Sequence, residues 1–277
     1  MGDDTILITG ATGKTGRRVS ALLRGRGLPV RDASRTSATP FDWDDPATWP
    51  AAVDGVRSVY VVHPDLYAAR TAERLLAFGR LAVQAGAARA VMVSVPRGED
   101  AGSAAVVHAE QQLVDAGLGL TVLRLRWFAQ NLTEDFLADA VARGDLRLPA
   151  GDGAEAFVDA DDIAEVAVAA LTDDSHAGRE YDLTGPRTLT FGDVADEITA
   201  AIGRTVSYTP LSAPAYIAEQ IADGVPEEWA RFSAGLYAQI ASGALDSTST
   251  DIADVLGRPA RDFREFAAAA ASEGRLQ

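Results

Sequence analysis

The stretch that most constrains the fold is TILITGATGKTGRRV, residues 5–19. Thr5–Thr9 is an apolar, β-branched run that stops at Gly10. Helical spacing then places Val19, Leu22 and Leu23 on one face, before Gly25 and Gly27 end the helix. A strand, a glycine turn and a helix in that order begin a βαβ unit. The pattern continues with strands at Pro29–Ser34, Pro40–Trp43 (short), Ser58–His63, Ala90–Val95 and Thr121–Arg126, and helices at Ala68–Ala85 and Ala104–Ala116. Strands and helices alternating at this rhythm predict a parallel, doubly wound sheet with right-handed crossovers.

The second half is more helical. Ala160–Leu171 and Phe191–Ile202 read as amphipathic helices around a short strand at Glu180–Thr184, and Val206–Tyr208 reads as another short strand. After Ala213 the pattern is helical, with breaks near Gly224–Pro226, Gly243 and Gly257–Pro259. The expected fold is therefore α/β, a Rossmann-type doubly wound parallel sheet with a smaller, mainly helical C-terminal lobe. Residues 1–150 are expected to form the dinucleotide-binding domain. Residues 151–277 are expected to complete the sheet edge and form a substrate lobe that does not fold alone.

Composition narrows the chemistry. The 277 residues include no cysteine, which excludes disulfides, thiolate metal sites and a cysteine nucleophile. The three histidines, His63, His108 and His176, lie far apart in sequence without a helical ligand spacing, so no metal site is expected. A net charge of −15 disfavours nucleic acid and anionic membranes as partners. No run of about twenty apolar residues is present, and none is expected to span a membrane. Met1 to Asp4 lack the basic start of a secretory signal, so a cytoplasmic location is the expectation. The partner expected is a small molecule; the sequence leaves monomer and homodimer open.

The glycine loop has a specific physical logic. Gly10 permits a tight turn after the strand, Gly13 removes a side chain where a pyrophosphate approaches, and Gly16 lets the helix pack closely on the strand. Backbone N–H groups of Thr12 to Thr15 then point towards phosphates, aided by the helix dipole and by Lys14. The spacing lacks the Gly-Lys-Ser/Thr ending of an ATP- or GTP-binding loop. The second strand ends Asp32, Ala33, Ser34, Arg35. A hydroxyl and a guanidinium at its tip suit the 2′-phosphate of NADP(H). Asp32 lies on the same strand face as Ser34 and is the argument for NAD(H). Asp42 and Trp43 are candidates to meet the adenine, Trp43 equally well a core residue.

These segments together resemble a known group. TGATGKTG, VRDASR, FDWDDPATW, SVYVVHP, VMVSVP, LTVLRLRWFAQNL and VDADDIAEVAVAAL, with the later YDLTGPRTLTFGDVADEIT and DVLGRPARDFREFA, are similar to the NmrA-like, atypical short-chain dehydrogenase family over nearly the whole chain. There is further likeness to NAD(P)H:quinone oxidoreductases and to ergot-alkaloid-type iminium reductases. The resemblance implies NADP(H) binding and, in many members, reductase activity. It maps Gly10, Thr12, Gly13, Lys14, Gly16, Arg35 and Asp42 to the cofactor site; Thr15, Ser34 and Trp43 join them from the loop and strand reading. Val62, His63 and Pro64, and Ser94, Val95 and Pro96, are implied to line the nicotinamide half. Trp127, Phe128 and Asn131 are implied to close over the ring and substrate, with Asn131 also counted in the cofactor site. Val158 and Asp162 are expected to order the sheet edge.

The proton-transfer residues depart from the wider family. Ser94 occupies the position of the usual serine, but His108 stands near the tyrosine position and Gln112 where the lysine would be. Ketone reduction forms a strongly basic alkoxide and needs a placed acid. Reduction of an iminium gives a neutral amine, and a quinone gives a stabilised anion. The sequence therefore favours an NADPH-dependent reductase of imine, iminium, quinone or enone substrates, with His108 and Ser94 as candidate catalytic groups. Glu110 is expected to orient a helix or bind a backbone group. His63, Pro96, Trp127, Phe128, Trp229, Phe232 and Tyr237 are the candidate substrate-pocket residues, the last three on one late helix. A non-catalytic NADP(H)-sensing regulator and a cofactor-assisted isomerase or cyclase are the alternative readings.

Overall fold

The computed structural model describes residues 5–98 and 100–276. The chain begins with β1 (Thr5–Thr9), α1 (Lys14–Gly25), β2 (Val30–Ser34), β3 (Thr39–Pro40), α2 (Trp49–Val53) and β4 (Val56–Val61). It continues with α3 (Thr71–Gln84), β5 (Arg89–Ser94), α4 (Ala101–Asp115) and β6 (Gly119–Leu125). Next come α5 (Asn131–Glu134), α6 (Ala138–Arg143), β7 (Asp145–Leu148), β8 (Ala154–Glu155), α7 (Ala160–Thr172), β9 (Glu180–Leu183) and β10 (Leu189–Thr190). The remainder is α8 (Phe191–Ile202), β11 (Ser207–Pro210), α9 (Ala213–Ala222), α10 (Glu227–Ala241), α11 (Asp251–Leu256) and α12 (Phe263–Ser272).

Two compact units result. The first holds the residues up to Leu125 together with Ala160–Leu183 and Asp251–Arg258; the second holds Arg126–Asp159, Thr184–Thr250 and the residues from Pro259 on. The first unit is built on a seven-stranded sheet in the order β3-β2-β1-β4-β5-β6-β9. Every pairing is parallel. Such sheets are covered on both faces, so their central strands are mostly apolar; all five residues of β1 are buried. The order reverses between β1 and β4, which is where doubly wound sheets bind ligands at the carboxyl ends of their strands. An aromatic cluster seals one side: Phe78 packs edge-on to Phe41, Trp43 and Trp49 at centroid distances of 5.6, 5.0 and 5.9 Å.

The second unit packs helices around two small sheets, β10 with β8 and β11 with β7. Its core gathers Leu132, Val141, Phe157, Phe191, Val194, Ile198, Tyr237, Ile240 and Phe266. Helices α8 and α12 both start on capping boxes, Thr190 with Asp193 and Asp262 with Glu265. Val158 bonds the segment before α5, its N–H donating to Trp127 O and its carbonyl accepting from Ala129 N, both at 2.9 Å. No described helix is long and apolar enough to cross a membrane.

Candidate dinucleotide site

The glycine loop lies at the switch point. The Thr9 hydroxyl, fully buried, donates to Tyr60 O at 2.9 Å and accepts from Val62 N at 2.8 Å, which locks the end of β1 to the end of β4. Gly10 then turns with φ +62°, a conformation that side chains resist. A Cβ on Gly16 would stand 2.3 Å from the Gly10 carbonyl oxygen, so only glycine lets α1 approach β1 this closely. Gly13 precedes α1 without a side-chain cap, and the first turn carries no acidic residue. Thr12 and Gly13 are exposed and Lys14 is half-buried. A helix start with no side-chain cap, with Lys14 at its first position and no acidic residue in its first turn, has the polarity of an anion cradle.

At the tip of β2, Asp32 and Arg35 stand in different surroundings. The Asp32 carboxylate accepts from Ser20 Oγ at 2.7 Å and from Arg24 Nη2 at 2.8 Å, both on α1. It is committed to the helix. The Ser34 hydroxyl accepts from Thr36 N at 3.3 Å and Ser37 N at 3.0 Å, capping the turn that follows. Arg35 is exposed at that turn. These residues fit a dinucleotide with a phosphorylated ribose.

Further along the ligand edge, Asp42 caps its own turn by accepting from Asp44 N at 2.9 Å. Trp43 is 6% exposed, and its indole N–H donates to Val62 O at 2.9 Å. It is a core residue rather than an open lid. His63 is also buried: its ring lies 4.9 Å from that of Trp43, and Nδ1 accepts from Asp65 N at 3.2 Å. Its Nε2 is enclosed, with no hydrogen-bond partner among the described residues. Burial lowers its pKa, which keeps the ring neutral. Val62 is half-buried and Pro64 exposed.

Past β5, the structure builds a buried ionic group. The Ser94 hydroxyl donates to Glu110 of α4. Arg124 of β6 forks onto two carboxylates. Its Nη1 and Nη2 reach Glu110 at 2.9 and 2.8 Å, and Nε and Nη2 reach Glu180 of β9 at 2.5 and 3.0 Å. Nη1 also donates to Val95 O at 2.9 Å. Arg97 engages the same Glu180 from outside. Hydrogen bonds from Arg97, opposed by burial and assisted by Arg124, bring the Glu180 carboxyl down to about 2. Sequence reasoning singled out Ser94 and Glu110 but missed Arg124, Glu180 and Arg97. An arginine inside the apolar run LTVLRL was the signal available.

The other candidates are dispersed. His108 is on an exposed position of α4. Its backbone carbonyl accepts from Gln112 Nε2 at 3.2 Å. His176 contacts the Tyr181 hydroxyl through Nδ1 at 2.7 Å, a structural bond. Trp127, Phe128, Asn131, Trp229, Phe232 and Tyr237 belong to the second unit. There Trp127 is half-buried, with Phe136 edge-on at 6.0 Å and Tyr237 at 4.9 Å. Asn131 is buried at the start of α5. On α10, Tyr237 points into the core, whereas Trp229 and Phe232 are 61% and 48% exposed; the three do not share a face. Among the described residues no cluster of metal-binding side chains occurs.

Sheet order, glycine cradle and the β2 tip define a Rossmann-type dinucleotide-binding protein. Known proteins agree. No protein-family model matches the chain. An uncharacterized oxidoreductase of Bacillus subtilis, YesF, is 34% identical over 98% of this chain and 97% of its own length. Agroclavine dehydrogenase of Claviceps fusiformis is 31% identical, covering 95% and 96%. The NAD(P)H azoreductase of Xenophilus azovorans is 33% identical, covering 96% and 98%. Among solved structures, Citrobacter sp. triphenylmethane reductase complexed with NADP(H) superposes with a TM-score of 0.77 at 21% identity, covering 96% of this chain and 99% of that one. A doubly substituted NmrA gives 0.74 at 15% identity, covering 99% and 97%. The chain belongs to the NmrA-like, atypical short-chain dehydrogenase/reductase family.

Two outcomes follow from this geometry. Gly16→Ala is expected to weaken dinucleotide binding at least about tenfold by calorimetry and to cost ~1–3 kcal/mol of stability; unchanged binding would show that the close approach is dispensable. Glu180 has a depressed pKa, so its stabilisation is complete above its ordinary value of 4.5 and fades as pH falls towards about 2. The unfolding midpoints of the wild type and Glu180→Gln should therefore converge over that interval. A gap that stays constant with pH would refute the assignment.

Proposed function

We propose that the protein is an NADPH-dependent reductase of electrophilic small molecules, of the imine, iminium, quinone or enone type. The observation that carries this reading is a cofactor cradle beside a Ser94 hydroxyl already committed to Glu110. Bound in the cradle, NADPH would supply a hydride to the substrate. The N–H groups of the glycine loop and Lys14 hold the pyrophosphate, and Arg35 takes the 2′-phosphate. Ser94 gives its hydroxyl proton to a carboxylate and so has none to hand to a substrate. Electrophiles whose reduction demands no strong enzyme acid suit such a site. Where a proton is needed, His108 on α4 is the remaining candidate donor, though the structure leaves it on an exposed position.

The relatives support the class: one is named a clavine dehydrogenase and another an azoreductase. The test is loss of NADPH absorbance with a panel of cyclic iminium ions, quinones and enones. Tight NADPH binding without turnover of any class would favour the sensor alternative. Arg35→Ala should weaken NADPH by about 10- to 100-fold, ~1.5–3 kcal/mol for hydrogen bonds to a charged group, and barely affect NADH. Equal losses for both cofactors would remove the 2′-phosphate role.

A further inference from the structure

The ionic group behind β5 does more than fill space. Ser94, Glu110 and Arg124 are 2%, 4% and 3% exposed. Buried ion pairs are seldom more stable than the apolar residues that would replace them, so stability alone does not account for this one. Its geometry is directional. Arg124 is fully used: two N–H groups face Glu110, two face Glu180, and a further one holds the Val95 carbonyl. One guanidinium against two carboxylates leaves an excess negative charge. Arg97 removes it, through Nε on Glu180 Oε1 at 2.7 Å and a second bond from Nη2. Arg97 is itself part of the segment after β5. That segment is thus pinned twice, at the Val95 carbonyl and at the Arg97 side chain, with Pro96 and its fixed φ between the pins. Gly98 folds onto the start of α4, where an added Cβ would meet Ser103 Oγ at 2.5 Å.

We propose that Arg97, Glu180, Arg124 and Glu110 form an ionic clamp that positions residues 95–98 and thereby sets the grip on the nicotinamide end of the dinucleotide. The proposal rests on the NADP(H) reading and on the place of this segment at the carboxyl end of β5, on the ligand edge of the sheet. The four are positioning residues: they act through the Val95–Pro96 backbone. They divide the cofactor into two halves with separate determinants, the glycine loop and Arg35 for the adenosine half and the clamp for the nicotinamide half.

Arg97 is the variable member, because its side chain is 55% exposed and its replacement leaves the buried pair intact. Calorimetric titrations of wild type, Arg97→Gln and Arg97→Lys would compare NADP⁺ with 2′,5′-ADP, which lacks the nicotinamide. The clamp predicts that Arg97→Gln binds 2′,5′-ADP within about twofold of wild type and NADP⁺ about tenfold more weakly, equivalent to ~1.4 kcal/mol. Arg97→Lys should recover part of that loss, since it restores the charge without the fork. Equal weakening of both ligands, or weakening of neither, overturns the clamp. If wild type prefers AMP and NAD⁺ over 2′,5′-ADP and NADP⁺, the NADP(H) reading fails, and the same ratio measured with AMP and NAD⁺ decides the clamp. If wild type binds no dinucleotide, both fail.

Discussion

Helix α1 can lie where it does because nothing projects from Gly16 towards the Gly10 carbonyl, a gap that a single methyl would close to 2.3 Å. The rest of the first unit depends on that contact. It brings the uncapped start of α1 over the end of β1, and the buried Thr9 hydroxyl ties that end to β4. The strand order reverses between the same two strands. One backbone approach thus aligns the helix dipole, the exposed loop N–H groups and the crevice of the sheet.

Charge is arranged around this contact with some economy. The chain carries a net charge of −15 but keeps carboxylates out of the first turn of α1. The acid within reach of the β2 tip, Asp32, is neutralised by Arg24. Behind β5 the two carboxylates of Glu110 and Glu180 are matched by Arg124 and Arg97. Asp32, Glu110 and Glu180 are therefore each paired with an arginine, and an anionic ligand meets fewer bare carboxylates than the overall charge implies.

Much of the framework was legible in the sequence because it rests on local pattern. β1 and α8 match their expected bounds residue for residue. The strand expected over Pro40–Trp43 ends at Pro40 instead. There Asp42 turns the chain back through the Asp45 N–H to Asp42 O bond at 3.2 Å, and the Trp43 indole is drawn into the core. β7 was missed because its four residues find their partner only in β11, some sixty residues on; such pairing leaves no local mark. The tight turn at Gly10 and the close approach at Gly16 were readable from the glycine spacing. The commitment of Ser94 was not, since Glu110, Arg124 and Glu180 come from three other elements. The strand expected over Ser58–His63 ends at Val61, two residues before His63, and alternation along a strand does not say how deeply an imidazole sinks.

The turn after β2 also bears on how a protein of this kind could change its cofactor over evolutionary time. The Ser34 hydroxyl is a structural part of that turn, holding the N–H groups of Thr36 and Ser37. Asp32 is held back by Ser20 and Arg24. A lineage drifting towards an unphosphorylated ribose would find the Asp32 carboxylate already engaged. An aspartate at position 34 would accept from the same two N–H groups, as in an Asx turn, and so would spend its carboxylate on the turn. The path between the two cofactor types therefore passes through a rebuilt loop and not through one substitution.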